Sequence, residues 1–299
     1  MMRILCVAMV MAACAWRGYA DEAPGGGPEK AEVPYRVDHE APLEPAERVE
    51  RQTSDFTRLR VEFNGIRGDR VPAFLYLPRG KQAALPAVLL QYGSGGNKST
   101  NYIVALGEQF VRRGFIVLTI DAPLRGERKP RDVQGWQRVL AESGRFLWYL
   151  GDYSRSIDYL VTRPEVDGRR IGYAGISWGA ITGITFVAHE PRVRAMASII
   201  GGGNFLGPLR VELADETIEA ARRIDPIHHV ALIAPRPLLP LNATRDQLVP
   251  RFFAESLHTA AGDAASVTKR WLDTDHFFRG VDRQAVLDEV VDFMEQSLR

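Results

Sequence analysis

The chain has 299 residues, of which 45% are hydrophobic and 25% are charged, so it is long enough to bury one large core. Its formal net charge of +1 gives no bias toward polyanions, and nucleic acid is therefore not an expected partner. Both cysteines, Cys6 and Cys14, lie close to the N-terminus. The remainder of the chain has no cysteine for a disulfide, a thiolate metal ligand or a nucleophile.

Residues 1–20 have the features of an export signal. Arg3 supplies a short positive region, residues 4–15 are apolar, and Gly-Tyr-Ala at residues 18–20 forms a small-x-small cleavage site. The apolar stretch is short for a transmembrane helix. The alternative is a lipoprotein signal, in which Cys14 becomes the lipidated first residue. We expect soluble export, to the periplasm or the medium, and membrane association only if Cys14 is lipidated.

Residues 21–52 contain five prolines, a run of three glycines and many charges, with little apolar periodicity. This composition predicts an arm or linker ahead of a catalytic domain over residues 53–299. The domain begins with residues 56–63, which alternate apolar and polar side chains, and after turn residues a second run covers 71–77. The pattern predicts an antiparallel strand pair at one edge of a sheet.

Buried strands then alternate with helices along the rest of the chain, which predicts an α/β fold with a mostly parallel central sheet, an antiparallel N-terminal edge and helices on both faces. The predicted strands cover residues 86–91, 115–120, 170–176, 193–200, 237–242 and 267–272. The predicted helices cover residues 100–113, 136–162, 178–189, 251–261 and 281–298. Residues 208–224 follow a run of three glycines and predict a short lid helix, with a plain surface excursion as the alternative.

The sequence Gly-Ile-Ser-Trp-Gly at residues 175–179 has the form of a nucleophile elbow. A buried strand leads into it and helix-compatible residues follow. A sharp turn between the two would present the Ser177 hydroxyl at the carboxyl edge of the sheet, in front of a helix N-terminus. We interpret Ser177 as a catalytic nucleophile, with a chance match to the motif as the alternative. A serine hydroxyl also needs a base and an acid to orient that base.

His276 is the predicted base, because it lies just past the last predicted strand, at the sheet edge where the elbow also emerges. The other five histidines lie in the arm, in or at the end of predicted helices, or on a connection between elements. Asp246 is the predicted acid, since it follows the preceding strand by a few residues and completes the chain order serine, acid, histidine. Asp225 is interpreted as a helix cap, and Asp273 and Asp275 are too close to the histidine along the chain.

A tetrahedral intermediate needs preorganised donors for its negative oxygen. The backbone amide of Trp178, the residue after the nucleophile, is predicted to supply one. The second is predicted in the glycine-rich loop after the first buried strand, where the Ser94 amide is the first candidate and Gly93 and Gly95 are the alternatives. Tyr92 and the Trp178 indole are the predicted substrate contacts, and packing against the adjacent helix is the alternative for the indole.

From about residue 56 onward, the chain resembles the α/β-hydrolase superfamily and, within it, the dienelactone-hydrolase, acetyl-esterase and prolyl-oligopeptidase-like group. The resemblance rests on the elbow and on Asp246 and His276 in the matching order. It also rests on Asp121 and the Arg-Gly pair at residues 125–126, which look like the loop with an aspartate and a following glycine after the fourth strand in such esterases. Fold and catalytic machinery are implied by these motifs, whereas the substrate is not.

Together with the predicted export signal, the resemblance implies an exported serine carboxylesterase that acts on small-molecule or polymer-attached acyl esters through an acyl-enzyme intermediate, with no metal and no other cofactor. A serine peptidase of the prolyl-oligopeptidase-like type is the alternative among enzymes. A non-catalytic binding member of the fold is the alternative from another class, although the presence of all three triad residues argues against it. Tyr92 stands where this group commonly has histidine, which leaves the second oxyanion donor open. The oligomeric state is also open.

Overall fold

A computed structural model describes residues 35–80, 83–129, 146–206, 218 and 222–299 of the chain. These residues form one nine-stranded sheet in the order β1-β2-β3-β5-β4-β6-β7-β8-β9. The strands are β1 (Ala46–Gln52), β2 (Phe56–Asn64), β3 (Arg70–Pro78), β4 (Leu85–Gln91), β5 (Ile116–Ile120), β6 (Val166–Ile176), β7 (Val193–Ile199), β8 (Leu238–Ala243) and β9 (Arg270–Leu272).

The pairing pattern confirms the predicted fold class. β1, β2 and β3 pair antiparallel, and β3 also pairs antiparallel with β5. From β5 across to β9, every neighbouring pair is parallel. Because parallel strands end at the same edge, the segments that follow β4, β6, β8 and β9 all begin at one side of the sheet. All the predicted catalytic residues lie in those segments.

Helices cover both faces of the sheet. They are α1 (Asn101–Arg112), α2 (Phe146–Val161), α3 (Trp178–His189), α4 (Arg251–Ala261) and α5 (Arg283–Ser297). Neighbouring residues of β6 point to opposite faces: Gly172 lies against Met294 and Leu298 at the end of α5, and the Tyr173 ring lies against Gly183 of α3. None of the helices in the described ranges is long and apolar enough to cross a membrane.

These helices agree with the predicted ones within a few residues, apart from the one predicted over residues 136–162. Its first ten residues lie outside the described part of the chain, and α2 forms the rest. The predicted signal over residues 1–20 also lies outside the described residues, as does most of the predicted lid.

The sheet begins earlier than the predicted domain boundary at residue 53. β1 lies within the segment predicted as an arm, and it pairs with β2 along its length. All seven of its residues are exposed, so this edge strand is held by backbone pairing and carries little hydrophobic signal. Just ahead of it, the buried Arg155 of α2 donates hydrogen bonds to the backbone carbonyls of Asp38, His39 and Ala41. These contacts anchor the chain before the first strand.

Candidate active site

Ser177 occupies a strained turn between β6 and α3. Its backbone has φ 53° and ψ −111°, a conformation that L-residues rarely adopt outside functional sites. The Ser177 amide donates to the carbonyl of Ile199 at 2.8 Å, which ties the turn to the end of β7. A Cβ on Gly175 would collide with the Gly179 carbonyl, and one on Gly179 would lie 2.6 Å from the Gln91 carbonyl. The two glycines of the motif are therefore required by the close approach of backbone to backbone.

Asp246 and His276 form a buried pair. His276 Nδ1 lies 2.6 Å from Asp246 Oδ2, and only 2% of the Asp246 side chain and 11% of the His276 side chain are exposed. Asp246 Oδ1 accepts hydrogen bonds from the amides of Leu248 at 2.8 Å and Val249 at 2.9 Å. An ionised carboxylate can only accept, so this contact favours the neutral tautomer that has its proton on Nδ1 and its acceptor at Nε2.

The structure therefore brings the predicted acid and base together. Asp246 follows β8, His276 follows β9 and Ser177 follows β6, so all three begin at the same edge of the parallel sheet. The hydrogen bonds of the described residues do not include one between Ser177 and the His276 ring. In enzymes of this kind the bond between nucleophile and base often tightens only when substrate is bound.

The loop after β4 lies directly beside Ser177. A Cβ on Gly93 would be 3.1 Å from Ser177 Cβ, a tight contact, so a glycine at this position lets the loop lie close to Ser177. The Gly93 amide donates to the Tyr102 hydroxyl at 3.0 Å, whereas the exposed Ser94 donates its amide to no other described residue. Trp178 is the first residue of α3, where an α-helix leaves its amides unpaired. The amides of Ser94 and Trp178 are thus not used in hydrogen bonds to other described residues, which leaves both available as donors.

Tyr92 is predicted to contact substrate, but the structure places its side chain in the interior. Its side chain is 1% exposed, and its hydroxyl accepts a hydrogen bond from the Ala122 amide at 2.8 Å. Burial raises the pKa of this phenol well above its ordinary value, so it stays neutral. Tyr92 ties the end of β4 to the chain beyond β5 and has no free surface for a substrate.

A buried ion pair also holds the loop that follows β4. Lys98 Nζ lies 2.6 Å from Asp121 Oδ2 and 2.5 Å from Glu127 Oε1, with 3% of the Lys98 side chain and none of the Asp121 side chain exposed. Asp121 also accepts from the amides of Lys98 and Glu127. A Cβ on Gly126 would collide with the Asp121 carboxylate, which explains the glycine of the Arg-Gly pair. Asp121 is part of a motif that the sequence shows, whereas Lys98 carries no signal of its role in the sequence.

The Trp178 indole packs against the adjacent helix. Its ring meets Phe146 edge to face at 6.0 Å and Tyr149 at 6.4 Å, both from α2. On another side it contacts a small buried apolar cluster formed by Ile181, Phe205, Val249 and Phe253. The buried Nε1 has no hydrogen-bond partner in the part of the chain that the structure describes. Of the two interpretations of this side chain, packing is the one that these contacts support.

The remaining polar candidates have other partners. Asp225 accepts from the amide of Ile227, as predicted for a cap, and from the amides of Asn204 and Phe205. His258 Nε2 lies 2.9 Å from Asn242 Oδ1, and His189 Nε2 lies 3.0 Å from His229 Nδ1. Within the described ranges, no group of three or more histidine, cysteine, aspartate or glutamate side chains is arranged to hold a metal ion.

Comparison with known families decides the classification. A family model described as the Dienelactone hydrolase family matches residues 71–289, from β3 into α5. The chain belongs to the dienelactone hydrolase family. Its relatives include the putative hydrolase YtaP of Bacillus subtilis, 23% identical over 220 residues that cover 67% of this chain and 73% of YtaP. Esterase YjfP of Escherichia coli is 27% identical over 211 residues, which cover 60% of this chain and 76% of YjfP.

Membership of the dienelactone hydrolase family confirms the prediction of a hydrolase of the carboxylesterase type. Solved structures of similar fold include acetyl xylan esterase 1 of Thermoanaerobacterium sp. JW/SL YS485, with a TM-score of 0.68 at 18% identity, covering 86% of this chain and 89% of that one. The acetyl xylan esterase of Paenibacillus sp. R4 has a TM-score of 0.71 at 16% identity, covering 86% and 90%. At such identities the likeness shows the α/β-hydrolase fold.

Proposed function

We propose that this member of the dienelactone hydrolase family cleaves carboxylic esters with Ser177 as nucleophile, His276 as base and Asp246 as the acid that orients the base. The observation that carries the proposal is the 2.6 Å contact between His276 Nδ1 and Asp246 Oδ2, with the other carboxylate oxygen held by two amides. This contact fixes the ring orientation and leaves Nε2 basic, which is what activation of a serine hydroxyl requires.

The mechanism follows from these roles. His276 Nε2 removes the Ser177 hydroxyl proton as Oγ attacks the ester carbonyl, and the carbonyl oxygen becomes an oxyanion held by the amides of Trp178 and Ser94. Collapse of this intermediate breaks the bond to the alcohol, which takes the proton from His276 and leaves the acyl group on Ser177. Water then repeats the attack, and the carboxylic acid is released. Asp246 stabilises the imidazolium in both steps.

Acyl esters of small molecules or of polymers are the proposed substrates. The esterase named among the relatives and the acetyl xylan esterases among structures of the same fold support this class over peptides. An ester panel that varies acyl length first and the alcohol second, set beside a peptide anilide, measures the preference. Faster hydrolysis of the anilide than of any ester would contradict the proposal.

The nucleophile is tested by Ser177→Ala and by a fluorophosphonate probe. We expect esterase kcat to fall about 10³-fold or more in Ser177→Ala, because the hydroxyl forms the covalent intermediate. The intact mass of the wild-type protein should increase by one phosphonyl adduct that peptide mapping places on Ser177. Full turnover by Ser177→Ala, or an adduct on another serine, would overturn the assignment.

Export is a separate proposal, supported by the positive, apolar and small-x-small regions of residues 1–20. Expression of the full chain, followed by fractionation and N-terminal sequencing, should give a soluble exported protein that starts at Asp21. A lipid-modified protein that starts at Cys14, and that becomes soluble in Cys14→Ser, would favour the lipoprotein interpretation. Retention of residues 1–20 in the cytoplasm would contradict both.

A further inference from the structure

The hydroxyl of Tyr102 lies against the loop that follows β4. Tyr102 is the second residue of α1, and its hydroxyl accepts the Gly93 amide at 3.0 Å. A Cβ on Gly96 would lie 3.1 Å from the same oxygen, so the hydroxyl sits inside the turn formed by residues 93–96. The residue is nevertheless 41% exposed. The hydroxyl is thus held by the loop, while part of the residue is exposed.

The same hydroxyl approaches Ser177. A Cβ on Gly93 would lie 3.1 Å from Ser177 Cβ and 3.4 Å from Tyr102 Oη. Ser177 Cβ and the phenol oxygen therefore both lie within 3.4 Å of one point, the position that a Cβ on Gly93 would occupy. In a tetrahedral intermediate on Ser177, the oxyanion lies about three bonds from Cβ, through Oγ and the acyl carbon. That length is sufficient for the oxyanion to reach a donor at the position of the Tyr102 hydroxyl.

The hydroxyl still has a proton to donate. A phenol provides one donor and acceptor lone pairs, and the Gly93 amide uses a lone pair. Within the described ranges, the Tyr102 proton has no acceptor. Donation from an amide to the oxygen also polarises the O–H bond and strengthens it as a donor. Partial burial raises the pKa of Tyr102, so the proton stays on the phenol at neutral pH.

We propose that the Tyr102 hydroxyl donates a hydrogen bond to the oxyanion of the tetrahedral intermediate, as a third donor beside the amides of Trp178 and Ser94. The proton remains on Tyr102 throughout, and no bond of the phenol breaks. Because the Gly93 amide already donates to the Tyr102 hydroxyl, Gly93 is not the second backbone donor. This inference rests on the proposed serine esterase mechanism and adds a side chain that the elbow motif does not contain.

The first test replaces the hydroxyl alone. In Tyr102→Phe we expect kcat to fall about 10- to 100-fold with KM changed less than about twofold, because the lost bond forms mainly in the transition state. Tyr159→Phe is the matched control: its hydroxyl donates to Glu47 at the N-terminal edge of the sheet, and activity should be unchanged. Wild-type kcat in Tyr102→Phe, with Ser177→Ala inactive in the same assay, overturns the inference alone. An active Ser177→Ala overturns the proposed mechanism itself.

The second test separates donation to substrate from support of the loop. Site-specific incorporation of 3,5-difluorotyrosine at residue 102 lowers the phenol pKa while it keeps the shape and the oxygen that accepts from Gly93. A phenolate can still support the loop but cannot donate. We expect kcat/KM of this variant to fall with rising pH as the phenol ionises, toward the level of Tyr102→Phe, while the wild-type profile stays flat there. Parallel profiles of the two proteins would overturn donation by Tyr102.

Discussion

Asp246 holds His276 with one carboxylate oxygen while its own loop holds the other. The contact to His276 Nδ1 is 2.6 Å, and the amides of Leu248 and Val249 bind the opposite oxygen at 2.8 and 2.9 Å. The carboxylate is thereby fixed before any substrate arrives, and with it the tautomer and direction of the ring. The pair thus fixes the orientation of His276, as the strained turn fixes that of Ser177.

The first prediction concerns Asp246→Asn. An amide keeps the shape but donates toward Nδ1, which moves the ring proton to Nε2 and removes the proton acceptor that Ser177 needs. We expect kcat to fall about 10³- to 10⁴-fold with little change in KM. Steady-state kinetics on a soluble ester measures this. Asp273→Asn, at an exposed carboxylate that binds Thr244 and Arg245, is the control and should keep wild-type kcat. A loss below tenfold in Asp246→Asn would contradict the role of Asp246.

The second prediction concerns the ion pair beneath the loop after β4. Lys98→Met leaves the buried Asp121 carboxylate without its cation, so we expect the free energy of unfolding to fall by about 3–5 kcal/mol. Urea denaturation followed by tryptophan fluorescence measures it. Lys269→Met, which removes a surface pair with the exposed Asp263, should leave the midpoint unchanged. Lys98→Met combined with Asp121→Asn should be more stable than Lys98→Met alone, and an equal or lower midpoint in the double variant would contradict this account.

Local signals in the sequence were sufficient for the parallel part of the sheet. Each of these strands is a short apolar run, and each helix has its own periodicity and stop signal, so α4 matches its predicted range over residues 251–261. The elbow glycines and the chain order of Ser177, Asp246 and His276 are local as well. Because parallel strands end at the same edge of a sheet, the sequence also predicts that these residues lie at one edge and that Asp246 pairs with His276.

Contacts between distant parts of the chain could not be predicted in this way. β1 has charged side chains on an exposed edge, and its partner strand alone makes it a strand. In the sequence Lys98 looks like an ordinary loop lysine. Only the fold brings it into contact with Asp121, 23 residues further on. Tyr92 was expected to contact substrate from its place next to the glycine loop, but its ring turns inward to Ala122. In each of these three cases, the structural role depends on a contact with a distant part of the chain.

The third prediction compares two glycines in elements beside the site. Gly107 lies within α1, where a Cβ would meet the Tyr76 ring at 3.5 Å, an ordinary contact, so Gly107→Ala should stabilise the protein by about 0.5–1 kcal/mol with activity unchanged. In Gly179→Ala the methyl group would lie 2.6 Å from the backbone carbonyl of Gln91, which displaces the elbow from β4. We expect kcat/KM to fall at least about 100-fold there. Thermal melts and kinetics measure both, and equal effects of the two substitutions would contradict the account.

The fourth prediction concerns acid stability. Burial lowers the pKa of His258 to about 4, below its ordinary value of 6.5, and its buried Nδ1 has no hydrogen-bond partner among the described residues. Between about pH 6.5 and 4 the unfolded chain therefore binds a proton on His258 that the folded chain does not bind. The free energy of unfolding is unaffected by this group above about pH 6.5 and falls as the pH drops toward about 4. We expect His258→Gln, which keeps a donor for Asn242, to show a shallower fall of melting temperature over this range. His229, whose pKa burial also lowers to about 4, should account for part of the remaining fall, and identical pH slopes for wild type and His258→Gln would contradict the linkage.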